Sequence, residues 1–442
     1  MALDTWTNWA ATSTATGQRT QRPRDPHEIA RAITDARQQG HSVRPLGSGH
    51  SFSDIAAPRP PRERTGAVAL DLSAWTGITD VDRGSGLVTA RGGTPLHQLN
   101  AELDELGLAL PNLGDIDGQT IAGAVSTGTH GTGARLGGLA TLVRALELVR
   151  ADGSVLRCSP EQHPDVFAAA RVGLGALGLI STVTLRCVPA FSLAAEEHPL
   201  PLDEVLRNFD DHAADNDHFE FYWFPHTART LVKRNNRLPE AAPTRPLHPV
   251  RSWFEYRVLE NELFGAVCRL GRRRPGLVPA LNRLCATSWS GRSYSDRAHR
   301  VFVTGRDVRF VESEYAVPRE HLPAVLNELR AAVRRLHHPV MFPVEVRVAA
   351  ADDIWLSTAH ERPTAYVAVH QFSGMPHREW FDTFERIARA ADGRPHWGKM
   401  HGLSAAQLRE SYPRFDDFLR VRRRLDPERV FGNPHLERVL GE

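Results

Sequence analysis

Two charged side chains of opposite sign, Glu345 and Arg347, stand two positions apart in an apolar segment of the chain. If that segment is a strand, side chains at this spacing point to the same face of a sheet. A carboxylate held there can accept a proton, and a guanidinium can donate hydrogen bonds to an oxygen that gains negative charge. A further cation, Lys399, follows in the run His396-Trp397-Gly398-Lys399. The spacing alone is equally compatible with an ion pair on a sheet surface.

Glycine is concentrated in three runs that lie far from these charges along the chain. They are Gly47-Ser48-Gly49-His50-Ser51, residues 114–133 and residues 173–180. Small residues allow backbone N–H groups to come close to a phosphate. Each run, taken singly, is also compatible with a turn that joins two core elements.

Capping residues and hydrophobic spacing predict the elements that carry the first run. Asp25 as N-cap, followed by Pro26 and Glu28, predicts a helix that ends at Gly40. A strand is expected over residues 42–46. The first glycine-rich run then lies at a strand end, where ligands are commonly held.

The same patterns continue to about residue 190. A strand over residues 87–91 precedes a helix with leucines at helical spacing between 96 and 106. Asp152-Gly153 between two strand patterns predicts a β-hairpin, and residues 180–187 alternate like a further strand. A first domain of mixed helices and strands is therefore expected to end near residue 190.

The second half of the chain predicts a different arrangement. The pattern over residues 251–300 predicts basic helical segments, which are interrupted by Gly-Arg-Arg-Arg-Pro near residue 273. Strands over 308–317 and 344–349 flank a helix over 322–336. This order suggests an antiparallel sheet backed by helices.

Composition limits the class of protein. The chain has 442 residues, 41% of them hydrophobic and 24% charged, which is typical of a globular protein with two or three folded units. Two domains around a cleft are expected. The 54 basic and 52 acidic side chains nearly cancel, which argues against a nucleic-acid partner and favours a small neutral substrate.

The cysteines and the chain start suggest no metal, no disulfide framework and a cytoplasmic location. The cysteines are Cys158, Cys187, Cys268 and Cys285; they form no C-x-x-C pair, and core filling is their expected role. His396 and His401 have no acidic or cysteine ligand at metal-binding spacing. No basic start with an apolar run and no apolar window of about 18 residues is present.

Taken together and in this order, the glycine-rich runs resemble the FAD-binding domain of the vanillyl-alcohol-oxidase class, also called the PCMH type. Within it, the chain is similar to the sugar-1,4-lactone (aldonolactone) oxidases, which include L-gulonolactone and D-arabinono-1,4-lactone oxidases, and to alditol oxidases. Trp6-x-Asn8-Trp9, the run at 47–56, the His396–Lys399 run and residues 425–433 carry the resemblance along nearly the whole chain.

The resemblance implies an α+β fold of two domains. An FAD-binding domain is expected over residues 1–190, an antiparallel-sheet substrate or cap domain over 191–410, and a C-terminal segment, 411–442, that returns to the FAD domain.

The resemblance also assigns the FAD-binding residues. The flavin-linking histidine of the family falls on His50, so covalent attachment through the 8α-methyl group is expected. Residues 118–131 are expected along the pyrophosphate and ribityl chain, and residues 178–183 at the adenine end. The expected FAD-binding residues are Arg44, Gly47, Ser48, Gly49, His50, Ser51, Gly114, Gly118, Thr120, Gly123, Ser126, Thr127, Gly128, Thr129, His130, Gly131, Gly178, Ile180 and Val183.

The implied reaction moves a hydride from a carbinol carbon of an aldono-1,4-lactone to flavin N5, with loss of the hydroxyl proton. Arg347 is expected to donate to the substrate oxygen, and Lys399 suits the flavin N1 and C2 carbonyl side. Glu345 either orients substrate hydroxyls or accepts the proton. His370 resembles a substrate-contacting histidine of alditol oxidases, but lies two residues further from Glu345 than it does there.

The resemblance favours O2 as the acceptor. The family has Gly or Ala at the position of Gly114, where a side chain can obstruct the approach of O2 to flavin C4a. Glycine leaves this path open, so formation of H2O2 is expected. The neighbouring Asp115 departs from the serine commonly found there, which puts the local flavin contact or the usual substrate in doubt.

Alternative functions are an alditol oxidase or specialised sugar-metabolite oxidase, a dehydrogenase with another acceptor, and a binding protein that lost turnover. The presence of His50, Glu345, Arg347 and Lys399 argues against the last. The arginines of 251–300 could rest on an anionic membrane surface, but a solvated helical face is favoured.

Overall fold

The computed structural model describes residues 4–60, 66–240, 242–288 and 290–441. The strands in these parts of the chain are β1 Asp4–Thr7, β2 Thr14–Gln21, β3 Ser42–Leu46, β4 Ala67–Asp71, β5 Ile78–Asp82, β6 Leu87–Arg91, β7 Leu108–Ala109, β8 Val143–Val149, β9 Val155–Cys158, β10 Leu179–Arg186, β11 Val188–Pro189, β12 Ser192–Pro201, β13 His218–Trp223, β14 Arg229–Arg237, β15 Arg292–Arg297, β16 Phe310–Pro318, β17 Val344–Ala349, β18 Thr364–Phe372 and β19 Arg394–Pro395.

The α-helices are α1 Pro26–Gln38, α2 Leu96–Glu105, α3 Ile121–Thr127, α4 Pro164–Ala170, α5 Leu202–Arg207, α6 Phe209–Asp215, α7 Pro249–Ser252, α8 Phe264–Arg273, α9 Val278–Ser288, α10 Ala298–Phe302, α11 Leu322–Val333, α12 Arg378–Ala390, α13 Ala405–Ser411, α14 Phe415–Leu425 and α15 Pro434–Leu440. A π-helix over Trp253–Leu263 joins α7 to α8, so residues 249–273 form a continuous helical arm.

Residues 4–186 form two sheets, with strand orders β1-β2-β4-β3 and β5-β6-β10-β8-β9. The predicted first helix is confirmed, since the Asp25 side chain accepts a hydrogen bond from the backbone N–H of Glu28. Its buried face, which includes Ile29 and Ile33, packs in one cluster with Val43 and Leu70. The glycine-rich run at 47–51 follows β3, as predicted.

Residues 192–395 form one eight-stranded antiparallel sheet with the order β15-β12-β14-β13-β17-β18-β16-β19. Helices α11 and α12 pack together, and α12 contacts β16, so the predicted antiparallel sheet with helical backing is confirmed. The helical prediction for 251–300 is wrong for residues 292–297, whereas residues 298–300 lie in α10. Residues 292–297 form the edge strand β15, which pairs with β12 because Arg292 lies opposite the buried Glu197.

The C-terminal segment contacts the first two sheets. Val43 donates its backbone N–H to the Val430 carbonyl at 2.7 Å. The Asn433 amide donates to the carbonyls of Asp54 and Ala57 at 3.0 and 2.9 Å, and its carbonyl caps α15. Phe431 is fully buried against the α1 cluster.

All four cysteines are free, and Cys158, Cys187 and Cys268 are buried, which fits their predicted role in the core. Across the described ranges, every helix is too short or too polar to cross a membrane.

Candidate active site

Five neighbouring strands of the large sheet, β14, β13, β17, β18 and β16, place polar side chains on one face. Glu220 of β13 lies opposite Arg347 of β17, and Tyr222 lies opposite Glu345. Glu345 in turn lies opposite Ala368 of β18. Directly opposed residues of antiparallel strands share a face, so these side chains all project to the same side. The same-face prediction for Glu345 and Arg347 therefore holds.

Ion pairs fix the Arg347 guanidinium on this face. Its Nε donates to Glu220 Oε2 at 2.9 Å, and its Nη2 lies 2.6 Å from Glu345 Oε1 and 3.3 Å from Asp115 Oδ1. Lys233 Nζ supports Glu220 from the next strand, at 3.0 Å. No hydrogen bond within the described chain occupies Nη1. That nitrogen is the donor left for a ligand oxygen.

Burial and neighbouring charges separate the two carboxyl groups beside Arg347. Burial raises the pKa of Glu345, and Asp115 and Glu220 add to this while Arg347 opposes it. Burial also acts against ionisation of Glu220, but Lys233 and Arg347 outweigh it and hold the pKa of Glu220 at about 2. Glu220 is therefore a fixed anion, and Glu345 is the carboxyl group suited to taking up a proton.

Asp115 reaches this cluster from the first part of the chain. Its carboxylate pairs with Arg306 on one side and with Arg347 on the other. Burial acts to raise the pKa of Asp115, but Arg306 and Arg347 lower it well below its ordinary value. Arg306 Nη2 also donates to the Tyr222 hydroxyl at 3.3 Å, while that hydroxyl donates to Glu345 at 2.6 Å. Asp115 and Arg306 thus close one side of the site.

Lys399 belongs to a second cluster on the same face. Its Nζ lies 2.5 Å from Glu312 Oε2 and 3.9 Å from Glu314 Oε2, both on β16. His370 lies directly opposite Glu312 and has its Nε2 at 3.5 Å from that carboxylate, while its Nδ1 is 2.9 Å from the Pro343 carbonyl. Burial opposes the charge on Lys399, but Glu312 and Glu314 raise its pKa. The ammonium is therefore kept charged.

His130, Glu314 and His396 form a buried group whose potential metal-ligand atoms lie within 4.8 Å of one another. His396 Nδ1 accepts a hydrogen bond from the Gly398 N–H at 3.1 Å, and burial lowers the pKa of His396 to about 4. In the neutral ring, Nε2 then carries the proton and has no lone pair for a metal. His130 Nε2 lies 2.6 Å from Glu314, and its Nδ1 lies 2.9 Å from the Gly131 carbonyl. These contacts favour a hydrogen-bonded cluster of His130, Glu314 and His396 over a metal site.

A groove beside this face gathers parts of all three glycine-rich runs. Residues from the loop after β3, from α3 and from the loop before β10 line it: Arg44, Pro45, Leu46, Gly47, Ser48, Gly49, His50, Ser51, Ile55, Ala56, Leu72, Gly92, Gln119, Thr120, Ala122, Gly123, Ser126, Thr127, Leu174, Gly175, Gly178, Leu179 and Ile180. Most of the residues predicted to bind FAD are among them.

Close approaches in this groove require glycine. A Cβ on Gly118 would lie 2.6 Å from His50 Nε2, and a Cβ on Gly47 would lie 2.7 Å from the Thr120 hydroxyl. Thr120 also caps α3 through the Gly123 N–H, so small residues stand at a helix start. Backbone N–H groups at such a position suit a pyrophosphate. The residues present therefore fit FAD, and His50 is part of the same lining.

The N-terminal turn and the 396–399 loop hold His50. Asn8 donates to the Ser51 carbonyl at 2.9 Å, and the Trp9 ring stacks on His50 with centroids 6.1 Å apart. The Phe52 N–H donates to the Gly398 carbonyl at 2.7 Å. Burial, with Lys399 nearby, lowers the pKa of His50, so its ring is neutral at pH 7.

Several predicted FAD residues are not part of this lining, whereas Arg44 is part of it but has its guanidinium hydrogen-bonded to backbone carbonyls. The buried Arg44 guanidinium donates to the carbonyls of Leu174, Gly175 and Phe431 and so joins the third glycine-rich run to the C-terminal segment. Val183 is fully buried in the core and is not part of the groove lining.

The end of the second run turns from the groove toward the charged face. Gly128 ends α3 with a φ of 76°, and Thr129 exchanges hydrogen bonds with the Gln119 side chain. A Cβ on Gly131 would lie 2.2 Å from the Leu113 carbonyl, and one on Gly114 would lie 3.2 Å from the His130 carbonyl. The segments around residues 114 and 130 are therefore in close contact.

Sequence reasoning missed the residues that hold the predicted ones in place. These are Glu220, Tyr222, Lys233, Arg306, Glu312 and Glu314. Glu312 and Glu314 repeat the two-residue spacing of Glu345 and Arg347 in an apolar strand. That signal could have identified them. Arg306, in a loop between α10 and β16, carries no such pattern.

Known proteins resemble this chain along its whole length. Residues 183–439 match the D-arabinono-1,4-lactone oxidase family, and residues 18–159 match the FAD binding domain. An L-gulono-1,4-lactone dehydrogenase of Mycobacterium tuberculosis is 43% identical, over 99% of both chains. The L-gulonolactone oxidase of mouse is 35% identical, over 98% of this chain and 97% of that protein. An alditol oxidase of a Streptomyces species is 34% identical, over 98% of both.

Solved structures share the fold. A cholesterol oxidase mutant from Brevibacterium sterolicum matches with a TM-score of 0.83 at 17% identity and covers 99% of this chain and 97% of its own. At that identity the likeness supports the α+β FAD-binding fold alone. With the family matches, it follows that the chain belongs to the D-arabinono-1,4-lactone oxidase family of FAD-dependent oxidoreductases.

Proposed function

We propose that this protein oxidises a secondary alcohol of an aldono-1,4-lactone and passes the electrons to O2, which yields H2O2. One observation supports the proposal: Glu345 and Arg347 lie beside Asp115, and Lys399 is close enough to act on both Asp115 and His50. Arg347 and Lys399 both lie near enough to Asp115 to lower its pKa, and Lys399 does the same to His50. Two fixed cations and one proton-accepting carboxyl group suit the oxidation of an alcohol.

Arg347 binds the substrate oxygen. Its Nε and Nη2 are held by carboxylates, so Nη1 points a preorganised donor at the reacting hydroxyl. A fixed donor of this kind typically contributes about 10²–10³ in rate. Lysine could not replace it, because one ammonium cannot hold three carboxylates and a substrate in a fixed plane.

Glu345 takes the hydroxyl proton through Oε2, since Tyr222 and Arg347 both contact Oε1. Burial raises the pKa of Glu345, which makes the ionised form a stronger base than an exposed glutamate. Lys399 supplies positive charge on the other side of the site and is oriented by Glu312, which in turn contacts His370.

FAD, when bound, supplies the hydride acceptor and the link to the final electron acceptor. We propose that His50 carries it through a bond from a ring nitrogen to the 8α carbon. Formation of that bond releases two electrons and two protons, which the acceptor of the reaction takes up. The neutral ring of His50 keeps a lone pair for the bond. The 19 residues predicted to bind FAD, apart from the core residue Val183, remain the proposed contacts.

O2 is the proposed acceptor because Gly114 has no side chain. The likeness to a protein named a dehydrogenase, at 43% identity, favours another acceptor as the second candidate. An open-chain polyol is the alternative substrate, and the likeness to an alditol oxidase favours it. We propose that Asp115 and Arg306, which pair beside Arg347, discriminate between the two substrates.

No nucleic-acid partner is proposed, since the charges nearly cancel. The cytoplasmic location stays a prediction, and four free thiols agree with a reducing compartment.

The first experiment is the initial rate of H2O2 formation in air with L-gulono-1,4-lactone and, in parallel, with xylitol, each repeated with an artificial dye as acceptor. Faster lactone turnover with H2O2 supports the proposal. Activity with dye alone overturns O2 as acceptor, and preference for xylitol moves the assignment to an alditol oxidase. An Arg347→Met variant controls for background oxidation. A pellet that stays yellow after acid precipitation supports the His50 bond; a colourless one refutes it.

A further inference from the structure

Large exposed hydrophobic side chains are concentrated in the helical arm and α9. Of nine such residues in the described ranges, eight lie between residues 250 and 284: Val250, Trp253, Phe254, Leu259, Leu263, Leu270, Leu277 and Leu284. The ninth is Val155. Single exposed hydrophobics are normal on a protein surface, but a cluster of this size marks a contact surface.

The apolar side chains are arranged along the helices. Leu263, Ala266 and Leu270 are exposed at a spacing of three and four residues, which is one face of a helix. The opposite face of α8 is buried, because Cys268 and Gly271 pack against a cluster that contains Met341. The arm is thus anchored by one face and presents the other to solvent.

Arginines surround this apolar face. Arg269, Arg272, Arg273, Arg274 and Arg283 are exposed, and within the described ranges none of them has an ion-pair partner. The acidic residues of the arm are already used: Glu255 pairs with Arg251 and Arg292, Glu262 with Arg257, and Glu260 with Arg292. The free charge of this surface is therefore positive.

We infer that the apolar face of residues 250–284 docks on an anionic lipid bilayer, with leucine and aromatic side chains in the headgroup boundary and the arginines on lipid phosphates. Such a combination of an apolar face and a basic rim binds membrane surfaces without crossing them. A surface groove beside the face is lined by Arg269, Arg272 and Arg309, and also by Glu262 and Asp307, which both pair with Arg257. The other arginines of the groove suit a phosphate headgroup. A second copy of the chain would bring the same unpaired arginines face to face, and like charges oppose that contact.

Docking brings the bilayer near the loop between α10 and β16, which carries Arg306 of the candidate active site. Asn261 of the arm donates to the Gly305 carbonyl at 3.0 Å and accepts from the Asp307 N–H at 2.6 Å. Arg306, which pairs with Asp115, lies between these two residues. The solvated helical face that the sequence favoured for this segment leaves its exposed apolar residues without an explanation.

The test is co-sedimentation of the FAD-loaded protein with vesicles of phosphatidylcholine, with and without phosphatidylglycerol, at low and high salt. We expect binding to the anionic vesicles, weakened by salt. Arg273→Glu and Arg274→Glu should each weaken it at least about fivefold, and Leu263→Asp with Leu270→Asp should abolish it. Val155→Asp is the matched control and should bind as the wild type does, while lactone oxidation in solution stays unchanged in all of them.

Absence of binding to anionic vesicles at low salt would overturn the inference. So would equal binding by the arm variants and the wild type. A concentration-dependent dimer that the leucine variants dissociate, without vesicle binding, would assign the face to a second copy instead. Each result is independent of the substrate, so failure here would leave the proposed oxidation untouched.

Discussion

Lys399 Nζ lies 2.5 Å from Glu312 Oε2, so the cation that lowers the pKa of His50 is oriented by a carboxylate on strand β16. Glu312 also faces His370, which ties two predicted site residues to one that the sequence did not single out. Because Glu314 lies further away, at 3.9 Å, Glu312 is the main partner of the ammonium.

We expect Glu312→Gln to lower kcat by about tenfold and Lys399→Met by about 10²-fold, since the first misorients the cation and the second removes it. The loss of Glu312 also lowers the pKa of Lys399, so the alkaline limb of the rate profile should move to lower pH. Stopped-flow reduction at a series of pH values measures both effects. Glu328→Gln, which removes a surface partner of Arg386, is the control. An unchanged alkaline limb in Glu312→Gln would refute the assignment.

Local patterns predicted the site only in part, and the physical reason is strand pairing. The strand β17 has the predicted bounds, and its period of two places Glu345 and Arg347 on one face. The partners of Arg347 depend on which strand pairs with β17 and in which register. Glu220 and Lys233 reach it from β13 and β14, and the sequence between them carries no signal of that order.

The FAD groove was easier to predict because its loops follow strands or start helices. The residues at 47–51 line it, and so do Thr120, Gly123, Ser126 and Thr127, as the glycine-rich pattern suggested. Val183 is an exception because it lies in the core, and Arg44 lines the groove while its guanidinium donates to backbone carbonyls. A sequence pattern does not say which of these directions a side chain takes. Asp115 was recognised as unusual, but its partner Arg306 lies in a loop without periodicity.

The pH dependence of kcat should report the ionisation of Glu345. Its pKa is raised above the ordinary value of 4.5 by burial and by Asp115 and Glu220. As the proton acceptor it must be ionised, so kcat should fall as pH falls through this raised pKa. Glu345→Gln should lose most of its activity and this acidic limb with it. A limb that persists in the glutamine variant would exclude Glu345 as the base.

Stability gives an independent measure of the same group. The folded state binds the Glu345 proton more tightly than the unfolded chain, so ionisation costs folding free energy as pH rises through the raised pKa. Glu345→Gln is therefore expected to raise Tm at pH values above that pKa and to have less effect below it. Thermal unfolding followed by circular dichroism at several pH values measures this. A lower Tm at neutral pH would mean that the Arg347 ion pair outweighs the cost of burial.

Gly118→Ala should impair covalent FAD attachment without unfolding the protein. The added Cβ would lie 2.6 Å from His50 Nε2, so the ring must move. Gly276→Ala, at a position with no neighbouring atom within 4 Å, is the matched control. After acid precipitation, we expect a pale pellet for Gly118→Ala and a yellow one for the control. Equal colour in both pellets would place the attachment site away from His50.

Asp115→Ser should change substrate preference through Arg306. Removal of the carboxylate leaves Arg306 without its ion pair and frees space beside Arg347. A smaller hydroxyl there accommodates an open-chain polyol, so the ratio of kcat/KM for xylitol to that for L-gulono-1,4-lactone should rise by about tenfold, or about 1.4 kcal/mol. Asp307→Ser is the control: Asp307 lies on the loop that carries Arg306 but pairs with Arg257, so this variant should leave the ratio unchanged. If Asp115→Ser slows the oxidation of both substrates equally, the Asp115–Arg306 ion pair only positions Arg347. A pocket wall that selects between substrates must affect a lactone ring and an open chain differently.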